Sequence, residues 1–321
     1  MFTVGLDIGY SNLKLAFGER DTGCRTILRP AGAAPREEMP ERIMGGDREE
    51  IHVLVDGDPF VAGIEPDRPE SWVRELHRGY PFTKTWGALF HAGLLLCESE
   101  TVDRLVTGLP VDQYLDPDLR KRVRERIRGQ HQVTSKRTVS VLDVRVVPQP
   151  LGGFIDHVWS LESAEDIEDW RVLVVDPGFF SVDWVVIDHA DLDRSSSGTS
   201  LEASSVVLEE SARLIAAEHG GNVGRERIES AVRGGKSTVR LFGQPVEIGP
   251  YLEQAASRVG PRVAASLREA LRKEASACDL ILLVGGGAAY FRGAIEEAFP
   301  RLPLTVSEEP VLANARGFWM L

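Results

Sequence analysis

Cysteine is scarce in this chain of 321 residues, with three in all. Cys24, Cys97 and Cys278 are far apart, odd in number, and free of any Cys-x-x-Cys or neighbouring histidine pattern. That excludes a disulfide scaffold and a zinc ribbon, and it points to a reducing cytoplasm. A long hydrophobic run is missing too. The longest apolar stretch, around Leu280 to Val284, is too short to span a bilayer. No basic segment and long apolar core stand at the N-terminus, so no signal peptide is expected. Positive charge is in deficit, with 37 Lys and Arg against 49 Asp and Glu and a net charge of −12. Such a chain is repelled as a whole by DNA and by anionic membranes, so direct contact with either is not expected and any nucleic-acid contact would need a local basic patch or a partner such as a DNA-binding adaptor.

What is present is ordinary globular material, 43% hydrophobic and 27% charged. At this length a single core usually gives way to two, so two domains are expected. The fold class reads as α/β. Strand patterns at Thr3 to Leu6 and Leu13 to Phe17 are followed by a turn at Asp21-Thr22-Gly23 and a strand at Arg25 to Leu28. Pro30 to Glu50 is rich in Gly, Pro and charge and reads as a loop or small insertion. Ile51 to Val55 and Phe60 to Ala62 form a hairpin around Asp56 to Pro59. A helix is expected over Thr85 to Cys97, and a central strand over Leu105 to Thr107. Leu119 to Arg128 is the one strongly basic stretch, readable as a solvated helix face or as a nucleic-acid or acidic-partner patch. Val139 to Val147 is a strand that runs into a Pro-rich segment, and the acidic stretch Glu162 to Asp169 marks the domain crossing.

The second half repeats this logic. Val172 to Val175 and Val182 to Ile187 are strands, Arg194 to Ser200 a polar loop, and Val207 to Ile215 a helix. Val239 to Phe242 and Val246 to Ile248 bracket a turn. A long helical pattern from Leu252 to Ala275 leads into the strand Asp279 to Val284, the triplet Gly285-Gly286-Gly287 and a helix over Ala288 to Phe299. Leu312 to Trp319 is a closing helix.

Two acidic, glycine-bearing turns carry the chemistry. Asp7-Ile8-Gly9-Tyr10-Ser11-Asn12-Leu13-Lys14 lies at the start, and Asp176-Pro177-Gly178-Phe179-Phe180-Ser181-Val182-Asp183 lies past the midpoint. Each follows a β-branched apolar run. Asp7 and Asp176 are carboxylates at strand ends, suited to Mg²⁺ held mainly through its waters. Gly9 and Gly178 let backbone N–H groups approach phosphate oxygens, while Ser11, Asn12 and Ser181 add hydrogen bonds. Lys14 can reach a phosphate and offset developing charge. Asp183 can orient water or brace its loop. The glycine triplet between strand and helix offers the close backbone approach an adenosine needs. Taken singly, each turn is also readable as a plain hairpin, and the two Phe residues as core packing.

The order of first loop, Gly108-Leu109-Pro110, Pro148-Gln149-Pro150, second loop, glycine triplet and Ala313-Asn314-Ala315-Arg316-Gly317 resembles the bacterial and archaeal actin-like ATPases of the ParM/StbA type. Within them the chain looks similar to the actin-like protein of the PRTRC gene system. The resemblance implies the actin-like fold of the Hsp70 and sugar-kinase superfamily: two lobes, each a ribonuclease H-like domain, closing over ATP or ADP with Mg²⁺. It sets domain I at 1–155, closed by 311–321, and domain II at 156–310. It makes Asp7 and Asp176 the magnesium-side carboxylates, Lys14 the phosphate contact and Gly285 to Gly287 the adenosine loop. Tyr10 and Phe179 complete the nucleotide-facing set. Gln149 falls where relatives place the residue that positions the attacking water, so Gln149 and Asp176 are the catalytic candidates. Its alternative is a residue that ends a strand in a Pro-rich hinge. The implied activity is ATP-dependent filament formation for plasmid or DNA segregation. A non-polymerising ATP switch acting through a partner and a small-molecule kinase are the alternatives.

Overall fold

The computed structural model describes residues 1–41, 50–69, 74–161, 167, 169–271 and 278–321. The expected acidic crossing at Glu162 to Asp169, part of the Pro30 to Glu50 segment and the end of the helix running to Ala275 lie largely outside these residues. The chain forms two compact units, 1–161 with 312–321, and 162–311.

In the first unit, β1 (Phe2–Ile8), β2 (Asn12–Glu19) and β3 (Arg25–Pro30) make an antiparallel meander. A hairpin of β5 (Ile51–Val55) and β6 (Asp58–Ile64) pairs with β4 (Gly32–Pro35) in a separate three-stranded sheet. Of the two readings of this segment, a loop or a small insertion, the described part agrees with the second: Gly32 to Pro35 is a strand because it finds an edge on β6. The β5–β6 turn is also tighter than expected: Asp56 and Gly57 take φ of 52° and 91°, a two-residue turn whose twist suits the flanking strands.

The helix α1 (Lys84–Leu96) starts at Thr83, whose hydroxyl accepts from the Trp86 N–H. It packs chiefly on the β4–β6 sheet, and the chain then enters β7 (Thr101–Leu109), the parallel neighbour of β1. After the single turn α2 (Val111–Tyr114), α3 (Pro117–Ile127) is capped by Asp116 and buries Leu119, Val123 and Ile127, an i, i+4, i+8 stripe. Then β8 (Gly129–Thr134) and β9 (Arg137–Pro148) complete a six-stranded sheet of order β3-β2-β1-β7-β9-β8.

The Pro-rich segment after β9 is not a hinge but the first turn of α4 (Gln149–Ser160), with Pro150 in the first turn, where its missing N–H costs no hydrogen bond. The two glycines that follow are a packing requirement. The chain's closing helix, Ala313–Met320, crosses α4 so closely that a Cβ on Gly317 would lie 1.8 Å from the Gly152 carbonyl oxygen. Arg316 clamps the crossing with two 2.7 Å bonds to the Asp156 carboxylate, and Asn314 accepts from the Gly153 N–H at 3.0 Å.

The second unit repeats the strand plan. β10 (Arg171–Pro177), β11 (Val182–Asp188) and β12 (Asp191–Ser200) form the meander, and β15 (Leu280–Leu283) and β16 (Leu304–Val306) add in parallel, giving the order β12-β11-β10-β15-β16. The polar loop expected at Arg194 to Ser200 is strand instead. It is the sheet's edge, so it needs no apolar pattern, and its Ser and Thr hydroxyls bond locally.

Helices α5 (Ser204–His219), α6 (Arg225–Arg233), α7 (Gly249–Ala270) and α8 (Ala288–Ala298) complete this unit, with the small hairpin β13 (Thr238–Leu241) and β14 (Gln244–Glu247); the closing helix of the first unit is α9. Each unit has its own apolar core, one around Leu13, Leu15, Leu89 and Leu105, the other around Leu173, Val186, Ile281 and Phe291. β1 and β10 are buried along nearly their whole length, which explains their continuous apolar runs.

Candidate functional site

Both acidic turns are hairpin tips, and they share one geometry. In the first unit Asp7 sits opposite Lys14 in the β1–β2 register, and the Gly9 N–H donates to the Asn12 carbonyl at 3.0 Å. In the second, Asp176 sits opposite Asp183 in the β10–β11 register, and the Gly178 N–H donates to the Ser181 carbonyl at 2.8 Å. The carboxylate, the glycine and the closing hydrogen bond occupy the same relative positions in each hairpin. Residue 14 and residue 183 are the point of difference, a cation in one and a carboxylate in the other.

The first cluster joins three residues distant in sequence. Asp7 is fully buried; its Oδ2 accepts from Lys14 Nζ at 2.7 Å and its Oδ1 from Gln149 Nε2 at 3.0 Å. Gln149 arrives as the first residue of α4, directly after β9. Since a carboxylate only accepts, the Gln149 amide must turn its NH₂ to Asp7, which leaves Oε1 as an acceptor for another group. Tyr10 stacks on Tyr80 with ring centroids 4.6 Å apart, and its hydroxyl donates to the His77 carbonyl at 3.3 Å. Burial pushes the Tyr80 phenol up, so this wall of the loop stays neutral. The Ser11 carbonyl accepts from the Ala31 N–H at 2.9 Å, tying the loop to β4.

The second cluster interlocks the Asp176 hairpin with the glycine triplet. Gly285 has φ of +77°, and a Cβ there would lie 2.0 Å from Asp176 Oδ1. At Gly287 a Cβ would lie 2.2 Å from Ser204 Oγ and 2.7 Å from the Pro177 carbonyl, which accepts the Gly287 N–H at 2.9 Å. Glycine at 285 and 287 is thus required by the protein's own packing, at 285 by left-handed backbone as well, and Gly286 is the exposed member of the three. The Asp183 carboxylate accepts from Ser181 Oγ at 2.6 Å and from Thr199 Oγ1 at 2.5 Å, so it braces the loop. Phe179 is buried with the Arg225 guanidinium over its ring, a packing position.

Three features of this region escaped sequence reading. Ser204 Oγ is buried beside Gly287 without a hydrogen-bond partner among the described residues. Thr199 braces Asp183 from a strand read as a loop. Glu229, buried and bonded to Arg233 at 2.7 Å, lies near Tyr290, whose phenol is pushed up to about 12 by burial and by Glu229. The serines before Val206 and Val207 signal a helix start, but no local pattern reveals a partner 83 or more positions away in the chain, so Ser204 beside Gly287 was beyond reach.

Among the described residues no group of three or more His, Cys, Asp or Glu is placed to hold a metal ion. The donors present are single buried carboxylates, Asp7 in one hairpin and Asp176 in the other, and carboxylate oxygen is the ligand type that Mg²⁺ takes, one or two at a time, beside waters and phosphates. The orphan Ser204 hydroxyl and the exposed Gly286 backbone beside Asp176 fit a polar ligand at this turn.

Two meanders carrying equivalent Asp-Gly turns, each extended by parallel strands, define an actin-like fold. The sequence pattern described as "Actin like proteins N terminal domain" matches residues 5–152, and that of "Archaeal actin homologue MreB-like, C-terminal" matches residues 174–297. The chain belongs to the actin-like protein family. A comparison with curated protein sequences gave no match.

Among solved structures, the archaeal actin homologue Ta0583 in complex with ADP is similar over 100% of this chain and 98% of its own, with 20% identity and a TM-score of 0.75. The subunit of a 15-stranded ParM filament from Clostridium botulinum matches over 99% and 98%, with 14% identity and a TM-score of 0.74. That of the Alp12 filament matches over 99% and 97%, with 12% identity and a TM-score of 0.65. Among the described residues no helix is long and apolar enough to cross a membrane.

Proposed function

We propose that the chain is an ATPase that binds Mg-ATP with the Asp7 and Asp176 hairpins and the Gly285–Gly287 turn, and that polymerises into nucleotide-dependent filaments. The observation that carries the reading is the duplicated hairpin, with a buried carboxylate at the same register position and a glycine at the same turn position in both units. An ADP complex of one structural neighbour and filaments built by two others support it. The cargo is a plasmid or other DNA element in the cytoplasm, reached through an adaptor because the chain carries a net charge of −12. Membership of the PRTRC branch belongs to the same proposal.

In this reading Asp7 keeps both Lys14 and Gln149 in place. Lys14 Nζ donates to phosphate oxygens, and Gln149 Oε1 accepts a hydrogen bond from the attacking water and orients it. Gly9 and Gly178 present backbone N–H groups, Asp183 keeps the second loop rigid, and Ser204 offers its free hydroxyl. Asp7 and Asp176 would hold a magnesium ion through its waters, and the ion would supply charge neutralisation.

High-speed sedimentation over a concentration series with Mg-ATP, Mg-ADP or no nucleotide, with phosphate release followed in parallel, tests it. Pelleting above a critical concentration with ATP, together with phosphate release, is the expected result. Phosphate release without pelleting would assign a non-polymerising switch, and turnover that requires a sugar would assign a kinase.

A further inference from the structure

The basic helix α3 has a second face that nucleotide binding does not use. Arg124 and Arg128 are exposed and Arg120 lies half-buried over the Tyr114 ring, while Arg122 and Arg126 line a cavity of about 460 Å³ within the first unit, shared with the β5 end, α1 and β8. That size is in the range of small-ligand sites, about 300–1,000 Å³. The Arg122 guanidinium lies 4.1 Å over the Phe82 ring and Arg126 lies 5.5 Å from the Trp86 ring. Stacking of this kind holds the guanidinium forks in place before any ligand arrives.

The lining carries three cations, Lys84, Arg122 and Arg126, against two carboxylates, Asp56 and Glu125. Among the described residues neither Arg122 nor Arg126 pairs with a carboxylate; Arg126 Nη2 donates to the Thr83 carbonyl at 3.0 Å. Burial disfavours the Arg126 cation, and Asp56 offsets this in part. The other cation, Lys84, bonds Asp58 at 2.6 Å, and Glu125 lies 3.9 Å from Lys121. His91 and His131 complete the lining, their ring centroids 5.7 Å apart. His91 Nδ1 is bonded to the Leu54 carbonyl and His131 Nε2 to the Ile127 carbonyl, so both donate there. The remaining nitrogens, Nε2 of His91 and Nδ1 of His131, become donors only on protonation. Burial holds both imidazoles below their ordinary range; Arg126 lowers both further, and Asp56 pulls His91 the other way.

We infer that this cavity is a second anion site, separate from the hairpins, and that it takes a phosphate group carried by a small molecule. A phosphate brings close to two negative charges and three acceptor oxygens, which match two preset guanidinium forks, an ammonium and two imidazoles able to gain N–H donors. Binding draws protons onto His91 and His131, so affinity rises as pH falls.

The test uses the full chain and inorganic pyrophosphate, with the imidazole resonances of His91 and His131 read by NMR at about pH 6 and about pH 8. Pyrophosphate held at the Asp7 hairpin has no direct contact with these rings, so the readout is independent of nucleotide binding. Both resonances are expected to move, with affinity about tenfold higher at the lower pH. Arg122 is exposed, so Arg122→Gln folds normally and weakens binding about tenfold; Arg124→Gln, outside the cavity lining, leaves it unchanged. Unmoved resonances, or an Arg122→Gln variant that binds as well as the parent, would overturn the site. Malonate shifting the resonances as far as pyrophosphate would overturn the assignment to phosphate.

Discussion

Replacing Asp7 by Asn tests whether the first hairpin depends on a buried charge. The carboxylate has 0% exposure and Lys14 13%, with the ion pair at 2.7 Å. Asn keeps the size and can still accept from Gln149, but toward Lys14 it either offers an NH₂, a second donor, or an oxygen without charge. Removing one partner of a buried pair costs about 3–5 kcal/mol. Because Lys14 retains some contact with water, about 3 kcal/mol is expected for Asp7→Asn. Lys14→Met, which leaves the Asp7 charge buried with the Gln149 amide beside it, should cost a similar amount, about 3 kcal/mol. In the double variant no charge is stranded, so its cost should fall short of the sum by about 2 kcal/mol. Urea unfolding followed by tryptophan fluorescence measures this, since Trp86 and Trp319 are buried in the first unit. Single variants costing under about 0.5 kcal/mol, or a double variant that is simply additive, would refute the buried triad.

Three further outcomes are expected. Gly317→Ala should lower the melting temperature, with a cost of about 3 kcal/mol, because its Cβ would meet the Gly152 carbonyl at 1.8 Å and the two helices must part; an unchanged melting curve would mean the crossing is looser than described. In a single-turnover assay Gln149→Ala should slow ATP hydrolysis about 100-fold while nucleotide binding is kept, and Asp176→Ala should abolish hydrolysis; loss of binding in folded Gln149→Ala would place the residue in the pocket wall. Asp193 governs part of the acid limb: burial opposes its ionisation, but bonds from Ser195, Ser196 and Arg171 outweigh this and hold its carboxyl at about 2 against an ordinary 3.8. The folded value is depressed, so its contribution is present above about pH 4 and fades as pH falls toward about 2. Acid unfolding of Asp193→Asn should therefore be less steep across that window, and an identical profile would count against the cluster.

The sequence by itself determined the strands and the two turns. β-Branched runs ended by Asp-x-Gly identify β1–β2 and β10–β11, because alternation and turn chemistry are local properties that need no partner. The duplication was legible for the same reason, since the same residue types recur at the same spacing. What local reading missed or left open were elements whose identity depends on a neighbour. The polar segment Arg194 to Ser200 is a strand because β11 offers it an edge, and Gly32 to Pro35 is a strand because β6 does. Pro148 to Gly153 reads as a breaker, yet it opens a helix because Pro suits a first turn and the glycines admit the closing helix.

The site divides along the same line. Asp7, Lys14, Asp176 and the glycines stand out as residue types at fixed spacing. Only tertiary structure decided that Gln149 bonds Asp7, that Asp183 braces Ser181 and Thr199, and that Gly285 gives way to Asp176. Spacing along a strand sets which residues share a turn, whereas contacts between residues more than a hundred positions apart exist only once the sheet order brings their strands and helices side by side.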